Sequence, residues 1–283
     1  MTVLVFAMPV ALAALGETVV QRSGLINIGL EGVMLNSALF GLLVSLGTGS
    51  PWLGLLAGCG VGLLTAVLFG AFAVSWGVDQ VVLGTAINLL ALGLTGTVFR
   101  DRFGATGDLL NAPMLPKVLG VDPMIPIGIL IAIVLTLLLQ RTTWGLAVKS
   151  AGHYPEAATA AGYSVTRLRY EALMIGGLLG GLGGAYLSVG VARSFAENMT
   201  AGRGFVAIAM VTFGRWNPVG VLAASLLIGV VESLQLFLQA KGWQAPYQLM
   251  LALPYLVALA VLVVAGRGSM APAALGRPYK EPK

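Results

Sequence analysis

An all-α, polytopic bundle of transmembrane helices is the fold that this sequence predicts, on three observations. Of its 283 residues, 58% are hydrophobic and only 10% are charged, against roughly a quarter charged in a soluble domain. Apolar runs close to the ~20 residues needed to cross a hydrocarbon layer recur along the chain. Glycine is abundant, at 39 residues, as expected where helices pack closely in lipid. A large soluble core is excluded, and the bilayer is the solvent for most of the surface.

The elements follow in order. Segments 3–20, 32–48, 53–75, 81–99, 124–141, 170–191, 204–214, 219–240 and 246–265 read as about nine spans in one transmembrane domain, residues 1–265. The first begins Met1-Thr2-Val3, with no basic region and no small-residue cleavage site, and is expected to be a retained helix. Segment 204–214 is too short to cross as a straight helix, so it is either half of a broken helix or a re-entrant piece. Pro113, Pro116 and Pro123 punctuate the loop 100–123. Residues 266–283 form a basic tail rich in Pro and Ala, expected to be flexible.

The main polar interruption, residues 142–169, holds Lys149, His153, Glu156, Arg167 and Arg169. Pro155 suits a first helical position, Glu156 the positive N-terminal end and Gly162 a C-terminal stop, which predicts a short helix between Pro155 and Gly162. Ala157, Ala158, Ala160 and Ala161 give that helix a smooth face that another protein can approach closely. The alternative is a helix that merely lies on lipid, although it lacks Trp, Phe and Leu anchors. Arg167 and Arg169 are expected to anchor the next span at the headgroups. Placing this loop in the cytoplasm puts the N-terminus outside and the tail inside. Arg22, Arg141, Lys149, Arg167, Arg169, Arg215, Arg267, Arg277, Lys280 and Lys283 then lie inside, a bias in the expected direction.

Polar residues inside spans mark cavities or partners, because they are costly in lipid. Glu17, Glu31, Glu171 and Glu232 qualify, with Asn27, Asn36, Asn88 and Gln235. Glu31 sits in a Gly-rich break, where unwound backbone needs protein or water beside it. The Asn88 amide offers donors and an acceptor, which suits a polar solute and equally suits a bond between helices. Asn27, Glu31, Asn36 and Asn88 are the candidate substrate-path residues. Glu171 lies near the cytoplasmic end and is expected to pair with Arg167 or Arg169. The tryptophans near span ends read as an aromatic belt.

The chain also repeats weakly. Asn27–Gly32, a short apolar stretch, a turn at Ser50-Pro51 and a long span are matched by Asn198–Gly204, a short apolar stretch, a turn at Asn217-Pro218 and a long span. Opposite orientation of the two units makes an inverted-topology repeat with broken helices; shared membrane composition is the alternative.

Several chemistries are excluded. No Gly-Lys-Ser/Thr phosphate loop is present, so ATP is not hydrolysed by this chain. One histidine and one cysteine, far apart, make no His/Cys zinc cluster. Common hydrolase signatures are missing, and His153 reads as a loop residue.

Four longer strings carry a resemblance. GLINIGLEGVML (24–35) resembles the start of permeases in the branched-chain amino acid and ribose branch of ABC importers. DQVVLGTAINLLALGLTG (79–96) and AENMTAGRGFVAIAMVTFGRWNPVG (196–220) are similar to its nucleoside (guanosine-type) subgroup. AVKSAGHYPEAATAAGYSVTRLR (147–169) resembles that branch's cytoplasmic coupling segment.

The resemblance implies the shorter subunit of a permease heterodimer in the cytoplasmic membrane, with no catalytic residue, metal or cofactor of its own. Partner ATPase domains would bind ATP and Mg and dock on Ala151, Gly152, His153, Pro155, Glu156, Ala157, Ala158, Ala161 and Gly162. A lipid-anchored, extracytoplasmic binding protein would deliver the nucleoside. A permease for pentose or simple sugars in the same family is one alternative. An ion-coupled secondary transporter is another, though it has no obvious use for a docking lever. An intramembrane enzyme or a scaffold is a third class, the enzyme disfavoured by the missing nucleophile and metal sets.

Overall fold

The computed structural model describes residues 2–104, 112–118, 120–241 and 271–279, with 252, 256, 257, 259, 260 and 263. Its long helices are α1 (Thr2–Arg22), α2 (Leu30–Thr48), α3 (Pro51–Gly70), α4 (Gln80–Phe103) and α5 (Met124–Arg141). After α6 (Thr143–His153) and α7 (Pro155–Ala160) come α8 (Val165–Tyr186), α9 (Arg203–Phe213) and α10 (Pro218–Ala240). Helices α3 and α8 each end in a π-helical stretch, Ala71–Ser75 and Leu187–Ala192.

Among the described residues seven helices are long and apolar enough to cross a membrane, and α9 is a shorter apolar helix. Eight of the nine expected segments fall on these helices, seven as full spans and 204–214 as the short one. Segment 246–265 lies outside the described residues apart from a few positions. The chain is a multi-pass membrane protein.

Local chemistry sets the boundaries. Asp79 caps α4, its carboxylate accepting from the backbone N–H groups of Val81 and Val82 at 2.9 and 3.0 Å. Pro51 opens α3 at a position where a missing N–H costs nothing. Gly49, at φ 69°, closes α2 in the left-handed conformation.

The core forms around α1, α2, α3 and α8. Between 72% and 78% of the apolar windows of α1, α2 and α8 is buried, against 17% for α4, which stands at the rim beside α2. Glycines on α8 make this packing possible. Cβ atoms at Gly58 and Gly62 of α3 would run into Gly181 and Gly177 of α8, and the reverse also holds. A Cβ on Gly16 of α1 would lie 2.9 Å from the Gly176 carbonyl oxygen. Backbones that touch in this way exchange bulky side-chain layers for close van der Waals contact, a common solution between helices in lipid.

Two expectations about the polar end are corrected. Residues 142–164 hold two helices rather than one, because α6 buries Ala147, Val148 and Ala151 in the main core. The tail, expected to be flexible, is a packed strap over residues 271–279. The Ala274 N–H donates to the Gly152 carbonyl and the Gly276 N–H to the Gly24 carbonyl, both at 2.9 Å. Tyr279 Oη lies 3.1 Å from Thr159 Oγ1. The loops 23–29, 142–164 and 214–217 and the strap thus share one end of the bundle.

Candidate functional site

Two regions answer to the sequence expectations: the paired helix breaks within the bundle, and the corner formed by α6, α7 and the strap. At the breaks, α9 has 11 residues, about 16 Å of helix, or half the ~30 Å hydrocarbon thickness. Its N-terminus meets that of α2. Glu31 lies in the first turn of α2 and is 8% exposed. Its Oε1 accepts from the Gly202 N–H at 2.8 Å and its Oε2 from the Gly204 N–H at 2.6 Å. One carboxylate at the first helix break therefore caps the second, and its charge faces the positive end of α9. Gly204 allows the approach, since a Cβ there would lie 2.5 Å from Glu31 Cα.

Around this bridge the polar residues divide into structural and unsatisfied groups. Asn88 Oδ1 accepts from the Gly32 N–H at 2.8 Å, and Nδ2 donates to the Ile28 carbonyl at 2.9 Å. Of the two sequence readings of Asn88, these bonds match the one between helices, a staple that satisfies backbone groups freed by the first break. Glu31 is likewise taken up by backbone. Asn27 and Asn36 differ: each is buried, and each Oδ1 has no hydrogen-bond partner. The Asn27 N–H donates to Glu17 Oε1, which also accepts from Gln21 Nε2, both at 3.1 Å. Thr200 Oγ1 is a further buried oxygen without a partner.

Longer links fix this region to its neighbours. Trp216 Nε1 donates to Gln21 Oε1 at 2.8 Å, and Arg22 Nε to the Trp216 carbonyl at 2.9 Å. Trp216 is buried, so it is a latch between α1 and the α9–α10 turn rather than a belt residue. Arg203 pairs with Glu232 of α10 at 3.1 Å. At the opposite end Arg100 grips both oxygens of Glu197, at 2.6 and 2.7 Å, and this bonding holds the Glu197 carboxyl below its usual value. Sequence reasoning missed Gly202, Gly204, Gln21 and Trp216, whose partners lie more than 160 residues away.

At the α6–α7 corner, α7 begins with Pro155 and Gly162 follows in the left-handed conformation at φ 86°, as its sequence predicts. Glu156, Ala157, Ala161 and Gly162 are exposed, with Tyr154, Ala160 and Tyr163 beside them. Ala151, Gly152, Pro155 and Ala158 are buried and cannot form the outer face; they fix the corner to the bundle. Gly152 is the tightest of these, because a Cβ would overlap the Arg22 carbonyl and lie 3.1 Å from the Gly24 nitrogen. His153 is half-buried, and burial with the nearby Arg22 charge holds its imidazole below the usual value. Arg167 pairs with Glu171 at 2.8 Å, as expected, and Trp144 Nε1 donates to the same carboxylate at 2.7 Å. Arg169, expected at the headgroups, is instead 1% exposed beneath the strap.

Comparison with known proteins agrees with this architecture. The chain matches the family described as branched-chain amino acid transport system / permease component over residues 1–266. It is 37% identical to the guanosine ABC transporter permease protein NupQ of Bacillus subtilis (strain 168), covering 98% of this chain and 94% of that one. It is 31% identical to the nucleoside ABC transporter permease protein NupC of Lactococcus lactis subsp. cremoris (strain MG1363), covering 99% and 96%. The putative glucose ABC transporter permease protein TsgC13 of Haloferax volcanii is 32% identical, over 89% of this chain and 86% of its own length. The same Bacillus and Lactococcus strains each hold a second permease protein similar to this chain, at 26% and 25% identity. No solved structure matches. A helical bundle with a broken-helix pair, an exposed alanine-faced corner and end-to-end similarity to ABC permeases identify this chain as a member of the branched-chain amino acid transport system permease-component family.

Proposed function

We propose that this chain passes nucleosides through the cytoplasmic membrane as one of two different permease subunits in an ABC importer. The observation that carries the proposal is similarity along nearly the whole chain to a guanosine and a nucleoside permease protein. Pairs of relatives in the same strains support the second permease subunit. ATP and Mg bind in a separate ATPase, which docks on the exposed part of α7 and on Gly162. A binding lipoprotein delivers the solute from the other side.

Movement follows from the corner. ATP-driven closure of the docked domains presses on α7, and Gly152 transmits the displacement to Arg22 and Gly24 beside the first break. Rigid-body motion then changes access to the path. Asn27 and Asn36, with their free amide oxygens, are the groups that meet a polar, uncharged solute. Glu31 and Asn88 hold the path in shape.

Uptake of labelled guanosine into vesicles that contain all the subunits tests this reading. Competition by other nucleosides, with none by sugars or amino acids, is the expected result. Inhibition by glucose or pentose instead would transfer the assignment to sugars, the alternative that the TsgC13 similarity favours. Uptake that survives ATP depletion but collapses with the ion gradient would overturn it.

A further inference from the structure

A cavity of about 300 Å³ lies between the α6–α7 corner and the C-terminal strap, lined by His153, Glu156, Arg169, Arg277 and Tyr279 among others. Arg169 is the unusual member. It is 1% exposed, and its Nε has no hydrogen-bond partner among the described residues. Its Nη2 donates only to the Arg277 carbonyl, at 3.3 Å. None of the ion pairs among the described residues involves it. Guanidinium does not lose its proton in proteins, so this charge cannot be neutralised by titration as a buried carboxylate or lysine can. A buried cation without an anionic partner is strongly unfavourable, and among the described residues the strap supplies only a neutral carbonyl.

The surroundings add positive charge. Arg277 lines the same cavity from the strap. Arg22 is close enough to depress the imidazole of His153 and the ammonium of Lys149, in both cases after the larger effect of burial. Glu156 contributes the one carboxylate of the lining, on an exposed side chain that makes no ion pair with Arg169. Gly24, at φ 90°, makes room for the guanidinium, since a Cβ there would lie 3.3 Å from Arg169 Nη2.

We propose that this cavity is a binding site for a phosphate-class anion, held by Arg169 and Arg277 with the Tyr279 hydroxyl as a further donor. Arginine's planar fork matches two oxygens of one phosphate group, and the volume is that of a small ligand site rather than a lone chloride. The anion would tie α8, the strap and the α6–α7 corner together at the end where the corner is pushed. Its source is either a free phosphate or nucleotide, or the headgroup of an anionic lipid.

The test uses the full-length chain in zwitterionic-lipid nanodiscs, with whatever subunits copurify. One arm titrates inorganic phosphate and then a nucleoside monophosphate; the other titrates phosphatidylglycerol into the discs. The readout is the thermal unfolding temperature together with hydrogen exchange over residues 150–160 and 271–279. Saturable stabilisation is expected in one arm, and that arm names the source. Arg277→Gln, on the exposed strap, should weaken it about tenfold, the usual effect of losing one charge-assisted bond. Arg169→Gln should abolish it. Arg141→Gln, exposed and outside the cavity, should leave it unchanged. No saturable response in either arm overturns the proposal, as does equal weakening by Arg277→Gln and Arg141→Gln. Because these readouts need no transport, the site can fail while the nucleoside assignment stands, and the reverse.

Discussion

Removing the Glu31 carboxylate separates a structural bridge from a passive break. Glu31→Ala leaves the N–H groups of Gly202 and Gly204 without their acceptors, in a region where Gly204 N is buried. An unsatisfied buried donor costs about 1–3 kcal/mol, and hydrogen bonds between membrane helices reach about 1–2 kcal/mol. Two such losses predict destabilisation of about 2–4 kcal/mol. Glu31→Gln keeps one acceptor oxygen but aims an amide donor at an N–H, so it should lose about half of that. Equilibrium unfolding of the purified chain in mixed micelles measures both, and hydrogen exchange at Gly202 and Gly204 locates the change. Glu156→Ala, exposed on α7, is the control and should stay within about 0.5 kcal/mol. If both Glu31 variants match that control, the two helix breaks are not joined through this residue, and the account of the broken-helix pair is wrong.

Four further outcomes are expected. Gly152→Val should separate ATP turnover from uptake, because its Cβ overlaps backbone at Arg22 with no flexible side chain to yield; normal coupling would show that the corner does not act through that contact. Gly162→Val should also uncouple while inserting normally, for a different reason: nothing lies within 4 Å of the new Cβ, but φ is 86°, a conformation that costs an L-residue about 1–2 kcal/mol; unchanged coupling would count against the lever. Asn88→Leu should destabilise the chain by about 1–3 kcal/mol through two lost backbone bonds, with uptake falling in proportion to folded protein rather than through solute affinity, which uptake kinetics would show. His153 sits below its ordinary value of 6.5, so the unfolded chain binds more protons there than the folded one. Its contribution is complete above about 6.5 and is lost as pH falls towards the depressed folded value, so the protection factors over residues 150–160, corrected for the intrinsic slowing of exchange in acid, should fall on acidification, and His153→Gln should remove the change.

What the sequence reveals depends on the range of each interaction. Seven long helices are readable because apolar length is a local property, and α9 is recognisable by being too short. Pro155, Gly162 and the Arg167–Glu171 pair are legible for the same reason, since their effects act within one or two turns. Helix α6 is hidden because Lys149, Ser150 and His153 give it a polar appearance, while its Ala and Val face packs on distant spans. The strap has neither helical nor strand periodicity, and its seat on Gly24, Gly152, Thr159 and Arg169 is made by residues more than 100 positions away. Asn88 offers the same amide to a solute or to a backbone, and composition cannot choose between them. Glu31 is visible as a costly charge, but its partners lie 171 and 173 positions away.

The touching backbones of α3 and α8 restrict how such a protein can work. Glycine meeting glycine leaves no cushion of side chains that could shear, so the two spans must travel as a single plank. Gly16 of α1 set against Gly176 extends that plank by one more board. Any rearrangement of the bundle is therefore expected at seams where side chains separate the backbones. Chemical ties across α3 and α8 would be tolerated, because that seam has no travel to lose.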